Sequence, residues 1–233
     1  MTPTPVPRQA SAIKTVLFAL ILSTSLAAFP QEAKTAPAIV GFSLDFPQSS
    51  PDHYEFSITS DGHASYDSTG KLTPESDAGD PFHTDFAISA ANLRRIFDLA
   101  AKAKYFDGPI DSGKRNLAST GAKVLSYTNG DRKTHAEYNY SLIPAVQDLT
   151  AIFQNMSTTL EFGRRLEYYQ RHQKLALEDE LKRMEDMANE KSLQEIQAVA
   201  PILEKIVADR SVLNVSRARA QRLLTAAGAA GAR

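Results

Sequence analysis

Phe86-Ala87-Ile88-Ser89-Ala90-Ala91-Asn92-Leu93-Arg94-Arg95-Ile96-Phe97-Asp98-Leu99-Ala100-Ala101-Lys102-Ala103-Lys104-Tyr105-Phe106 carries the pattern around which the chain is organised. Leu93, Ile96, Phe97, Ala100 and Ala103 recur at helical spacing, with Arg94, Arg95, Asp98 and Lys102 left for water, so the spacing predicts an amphipathic helix. Ser89 stands where an N-cap belongs, its hydroxyl free to accept from an otherwise orphaned backbone N–H. Lys102 and Lys104 suit the negative end of the helix dipole, and Gly108-Pro109 is a stop. One apolar face needs another surface to bury it.

The flanking segments supply that surface. Ile39 to Phe46 alternates apolar residues at Val40, Phe42, Leu44 and Phe46, and Tyr54 to Thr59 alternates again. A three-residue Ser60-Asp61-Gly62 loop with Gly62 left-handed sets Ala64 opposite Ile58 and Tyr66 opposite Phe56. That register keeps the apolar set on one face, whereas a two-residue Asp61-Gly62 loop mixes the faces. Thr69 to Asp80 reads as an exposed loop, and Phe82 to Ile88 as a short strand leading into the helix. Downstream, Ala122 to Thr128 and Asp131 to Asn139 flank Asn129-Gly130, a strong hairpin signal. A two-residue turn there pairs Leu125 with Thr134 and Tyr127 with Arg132.

Leu142 to Met156 is a second amphipathic helix, with Pro144 in its first turn and Val146, Leu149, Ile152, Phe153 and Met156 as its stripe. Residues 39–157 therefore read as an α+β domain: an antiparallel sheet of about five strands with two packed helices, followed by a mainly α-helical C-terminal extension. Residues 158–191 read as one long charged helix whose narrow stripe, Leu177, Leu181, Met184 and Ala188, is coiled-coil-like. Residues 192–227 read as a helical pair. Ser192-Leu193-Gln194-Glu195 is a capping box for a helix to Arg210, Pro201 kinks or divides that helix, and Val212 to Ala227 is the last helix, with Arg217, Arg219 and Arg222 outward. Residues 228–233 are a disordered tail.

The chain of 233 residues has a formal net charge of -1 and no cysteine. Near-neutral charge gives no overall electrostatic case for nucleic acid. Without cysteine there is no disulfide, thiol nucleophile, Cys-based zinc site or lipidated N-terminal Cys. Arg8 and Lys14 precede the apolar run Val16 to Leu22, and Ser23-Thr24-Ser25-Leu26-Ala27-Ala28 follows. A basic region, a short apolar core and small residues describe a secretory signal peptide over residues 1–28, cleaved after Ala27 or Ala28. The run is shorter than the roughly 20 residues a bilayer span requires, and only an uncleaved form would tie the chain to a membrane. Residues 29–38 read as a disordered spacer, and the mature protein is expected outside the cytoplasm.

Sequences that resemble chemical motifs lack their required surroundings. Gly108 to Lys114 has the spacing of a phosphate-binding loop, but Arg115 replaces the Ser or Thr that would hold magnesium, and a helix precedes it where a strand is needed. Asp111-Ser112-Gly113 occurs once, whereas aspartic proteases need two such aspartates sharing a proton. His53, His63, His83, His135 and His172 form no zinc spacing and read as solvent-facing groups. Tyr66, Tyr127, Tyr138 and Tyr140 suit either a groove or a core edge with wet hydroxyls, and the core is the plainer reading. Asn155-Met156-Ser157 and Asn214-Val215-Ser216 match the glycosylation sequon inside predicted helices.

The pattern Tyr54-x-Phe56-x-Ile58-x-x-Asp61-Gly62-x-x-x-Tyr66, the Ile88-Ser89 helix start and Tyr105-Phe106 resemble small exported domains of unknown function in bacterial envelope proteins. The resemblance covers roughly residues 42–156. Some such domains carry Cys-Pro where this chain has Ser50-Pro51, and the family supplies no catalytic residues to carry over. Two functional readings follow. One is a non-enzymatic envelope protein whose 158–227 helices contact a protein partner or a second copy, without a cofactor. The other is a small hydrolase or glycan-acting enzyme using Asp107, Asp111 or His135 near Tyr138.

Overall fold

The computed structural model describes residues 1–4 and 36–231, apart from 48, 74, 75, 77, 78 and 115. Residues 5–28 of the expected signal-peptide segment and most of the spacer lie outside the described residues. From Ile39 onward the chain forms strands β1 (Ile39–Asp45), β2 (His53–Thr59), β3 (His63–Thr69) and β4 (Pro81–Ala87), then helix α1 (Ala90–Lys102). Strands β5 (Ala122–Asn129) and β6 (Arg132–Tyr138) follow, and then helices α2 (Pro144–His172), α3 (Leu177–Asn189), α4 (Ala200–Ala208) and α5 (Asn214–Gly231). The sheet has six strands rather than about five, all antiparallel, in the order β4-β3-β2-β1-β5-β6.

The β2–β3 hairpin has the register its apolar pattern requires, with Phe56 opposite Tyr66 and Ile58 opposite Ala64. Gly62 takes φ +95°, which a side chain would resist. The β5–β6 hairpin differs from its sequence reading by two residues. Asn129 pairs with Arg132, so Gly130 and Asp131 are the turn, and Leu125 faces Ala136 while Tyr127 faces Thr134. Gly130 stands at the first turn position with φ +57°, a type II′ requirement, and the slip places apolar Ala136 against Leu125.

One face of the sheet carries Val40, Phe42, Leu44, Tyr54, Phe56, Ile58, Tyr66 and Leu125, all buried under helices. Ser89 caps α1, its hydroxyl accepting from Asn92 N–H at 3.3 Å. Ile96, Leu99 and Ala100 are the buried centre of α1, while Leu93 and Phe97 are half-buried at its margin. Helix α2 continues well past Met156 because only Gly163 interrupts a run of helix formers before Gln173. Phe153 on α2 stacks parallel on Phe42 with ring centroids 4.9 Å apart, anchoring helix to sheet.

Residues 158–191 are therefore not one helix. The first part completes α2, the chain breaks at Gln173 (φ -144°, ψ 63°), and α3 follows. Nor is the stripe Leu177, Leu181 and Met184 a free seam, because each side chain is fully buried in the same interior as the sheet. Gly163 explains part of this closeness: a Cβ there would lie 2.5 Å from Val199 Cγ1, so its absence lets α2 meet the turn Ile196–Val199. The capping box at Ser192 does not form. Glu195 takes a left-handed conformation (φ 59°, ψ 41°) and its side chain leaves its own helix. Pro201 does divide the segment, lying in the first turn of α4.

The arginines of α5 are not simply solvated. Arg219 Nε donates to Glu178 at 2.9 Å and its Nη1 to Glu185, and Arg222 Nε donates to Glu185 at 2.5 Å. These bonds tie α5 to α3. The unit from Thr35 to Arg233 is accordingly one body, with the helices of residues 158–227 built into it.

Candidate functional site

Of the four residues expected for an enzymatic site, Asp111 and Tyr138 line one cavity of about 510 Å³ with Asp45, Lys123 and Glu137, whereas Asp107 and His135 are not among its lining residues. Asp107 is exposed, 4.0 Å from Arg132 Nη2. Asp111 is a loop staple: Oδ1 accepts from Gly113 N–H at 2.7 Å, and Oδ2 from Asn139 N–H at 2.8 Å and Tyr140 N–H at 3.4 Å. Those backbone donors, Gly113 foremost, hold its carboxyl below the usual range. His135 is exposed on the solvent side of β6, opposite Ser126. Tyr138 points to the other side, buried, its hydroxyl 2.7 Å from Thr150 Oγ1 and its pKa pushed up to about 12 by burial. Three residues apart on a strand, His135 and Tyr138 must face opposite ways.

Two cavities lie on the helix side, at the end of the sheet where β1 leaves and β5 enters. A groove of about 740 Å³ runs between Phe46–Pro51 and helices α2 and α3, floored by Tyr54 and Phe162. Its cations are Arg165 and Arg183, both engaged by Glu180 at 2.6 and 3.5 Å. A neighbouring cavity of about 440 Å³ is lined by Lys123, Tyr138 and Gln154. Lys123 is buried and its Nζ faces four oxygens, those of Thr120 O and Oγ1 at 2.8 Å, Asn139 O at 3.0 Å and Gly121 O at 3.2 Å. Burial lowers its pKa, but the ammonium is clamped to main-chain carbonyls as a structural bolt.

A second buried charge lies under the sheet. Glu161 accepts from Tyr66 Oη at 3.0 Å and Ser68 Oγ at 2.7 Å, with Arg164 Nη1 at 3.5 Å. The tyrosine core reading is correct for Tyr66, Tyr127 and Tyr138, yet the Tyr66 hydroxyl is dry, sharing this network with Ser157 at 2.9 Å. Burial, then the Glu161 charge, raises its pKa far above the ordinary value.

The remaining titratable groups collect on the sheet face opposite the helices, where every strand residue but Gly41 is exposed or half-buried. All four strand histidines, His53, His63, His83 and His135, are on it. So are five carboxylates, Asp45, Glu55, Asp67, Asp85 and Glu137, against Lys133. Across β3 and β4 they form a chain. His83 Nδ1 is 2.7 Å from Asp67, His83 Nε2 is 3.4 Å from Asp85, and His63 Nε2 is 3.3 Å from the other Asp85 oxygen. Asp67, then Asp85, raises the His83 pKa. On β1 and β2, His53 Nδ1 lies 2.8 Å from Asp45. Among the described residues no group of three or more His, Asp or Glu is placed to hold a metal ion.

Over the helix side of β5 and β6, Lys104, Tyr105 and Phe106 are consecutive left-handed residues, with φ 56°, 56° and 62°. Tyr105 stacks on Tyr127 at 4.4 Å beneath the Arg132 guanidinium at 4.6 Å, and Thr134 Oγ1 donates to Tyr105 O at 2.5 Å. No sequence signal marks this turn, since none of the three is glycine. Compared with known proteins, the chain matches no family model and no curated relative. Among the described residues no helix is long and apolar enough to cross a membrane.

Proposed function

We propose that this is an exported, non-enzymatic binding protein of the bacterial envelope, and that it recognises a cationic partner on the uncovered face of its sheet. One observation carries the reading: five carboxylates and four histidines share that broad face with a single lysine, whereas Lys123 and Arg165 in the helix-side cavities serve structural bonds. A broad polar surface with an excess of carboxylates attracts an oppositely charged partner. The hydrolase alternative is the weaker reading: Asp111 and Tyr138 line a common cavity, but Asp111 is bonded there to main-chain N–H groups and Tyr138 to Thr150, and neither Asp107 nor His135 lines it. The partner surface moves from the helices to the sheet, because the helical stripe is already buried at Leu177, Leu181 and Met184.

The test uses fluorescent peptides of alternating Lys and Thr, beside matched Glu and Thr peptides. The basic peptides bind, binding weakens as salt rises, and Glu55→Gln with Asp67→Asn weakens it about tenfold. Equal binding of both peptide types overturns the surface assignment. Turnover of ester, phosphoester or glycoside substrates that disappears in His135→Ala overturns the non-enzymatic reading. N-terminal sequencing of the exported protein checks the compartment, with a start after Ala27 or Ala28 expected.

A further inference from the structure

Strand β4 is an edge of the sheet with a neighbour, β3, on one side only. An uncovered edge is a template for another strand. Over the helix side of the other edge strand, β6, the Lys104–Phe106 turn is held through Thr134 Oγ1 to Tyr105 O and Arg132 Nη2 to Lys104 O. On the helix side of β4, Arg164 lies 5.4 Å from the Phe82 ring centroid and donates to Asp80 O at 3.0 Å, and neither contact uses a main-chain group of Pro81–Ala87.

The sequence of β4 is chemically symmetric. Phe82-His83-Thr84-Asp85-Phe86 reads aromatic, imidazole, hydroxyl, carboxylate, aromatic, so its reverse presents acid where the forward copy presents base. His83 and Asp85 are exposed on the polar face, while Phe82, Thr84 and Phe86 are half-buried on the helix face. Beside Phe82 and Thr84 a groove of about 350 Å³ opens between β4 and helices α2 and α4.

We propose that the protein dimerises by antiparallel addition of β4 to the same strand of a second copy, about a two-fold axis through Thr84. In that register His83 faces Asp85 of the partner subunit twice over, Phe82 faces Phe86 of the partner subunit, and Thr84 meets its own copy. The two sheets join into one, with both polar faces on the same side. Neighbouring registers fail on the same residues. A slip of two residues one way sets Asp85 against itself, and the other way His83 against itself. A slip of one residue turns the polar face of one copy toward the helix face of the other. The charges that deter indiscriminate edge pairing therefore select a single isologous one. This inference is independent of the cationic-partner reading.

The experiment is light scattering on the full chain over a range of concentrations, joined to cysteine cross-linking, which the cysteine-free sequence makes unambiguous. A dimer with a dissociation constant in the micromolar range is expected. Thr84→Cys cross-links to itself under mild oxidation, because paired residues across an antiparallel ladder lie about 4.5–5.5 Å apart at Cα. Pro81→Cys does not, since its copies are separated by about 20 Å along the ladder. Asp85→Lys weakens dimerisation about tenfold, and adding His83→Glu restores it. A monomer at every concentration overturns the proposal. So does a dimer that ignores Asp85→Lys and leaves Thr84→Cys uncoupled, and circular dichroism on each variant separates these outcomes from misfolding.

Discussion

The carboxylate of Glu195 accepts from both the backbone N–H of Ser89, at 2.8 Å, and its hydroxyl, at 2.7 Å, and so closes the N-terminus of α1 from another part of the chain. The same carboxylate takes Asn92 Nδ2 at 2.6 Å. A negative group at this helix end is favoured by the exposed N–H groups and by the dipole. Replacing it leaves several donors without partners. Glu195→Ala is expected to lower stability by about 1–3 kcal/mol, measured by urea unfolding, and Glu195→Gln by less. Ser89→Ala in the Glu195→Ala background should then add little, because the two share one network.

Gly163 and Val199 form a second test. On helix propensity alone, Gly163→Ala would stabilise α2 by up to about 1 kcal/mol. The new Cβ would lie 2.5 Å from Val199 Cγ1, however, and the contact decides the sign. Gly163→Ala is expected to cost about 1–3 kcal/mol, and combining it with Val199→Ala should recover most of that loss. A stabilised Gly163→Ala single variant would show that α2 and the Ile196–Val199 turn are not in close contact.

Much of the sheet was legible from the sequence, and the reasons are local. The Tyr54–Tyr66 hairpin has one register that keeps Phe56, Ile58 and Tyr66 together, and Ser89 has one role ahead of Leu93. Position 129–131 was harder because Asn-Gly and Gly-Asp are both good turns, and the Leu125–Ala136 contact chose between them. Glu195 was misread because a capping box is a local pattern, while its carboxylate satisfies a helix far away in sequence. The charge of residues 158–191 obscured how little of it faces water at Glu161, Arg164 and Glu180. The histidines were legible singly as strand residues. Their alignment on one face depended on strand order, which no single strand reveals.

Stability should peak in mildly acidic solution. Asp209 is held far below its ordinary pKa by Lys174 first and then Ser211, Glu185 by Arg222 first, and Asp111 by the Gly113 N–H first. Their contributions are complete above the unfolded carboxyl values, about 4, and are lost as pH falls through the lowered native ones. His83 works the other way. Raised by Asp67 and then Asp85, it stabilises fully below the unfolded value of about 6.5 and ceases to do so as pH rises through its native pKa. Urea midpoints should therefore be highest between pH about 4.5 and 6.5, fall slightly toward pH 8 and fall steeply toward pH 3. His83→Ala should flatten the alkaline limb, and Asp209→Asn part of the acid limb.

The account rests on one interior shared by the sheet and all the helices, which leaves the opposite sheet face as the surface for recognition. Urea unfolding of the full chain and of a chain ending at Met156, followed by far-ultraviolet circular dichroism and tyrosine fluorescence, tests this most directly. The full chain should unfold in one transition with both probes. The truncated chain, lacking Glu161 beneath Tyr66 and Ser68 and lacking Phe162, Leu166 and Leu177 from the core, should show no cooperative transition. A truncated chain that unfolds cooperatively in a single transition by both probes would contradict the account, since the helices would then be an appendage to a self-sufficient domain.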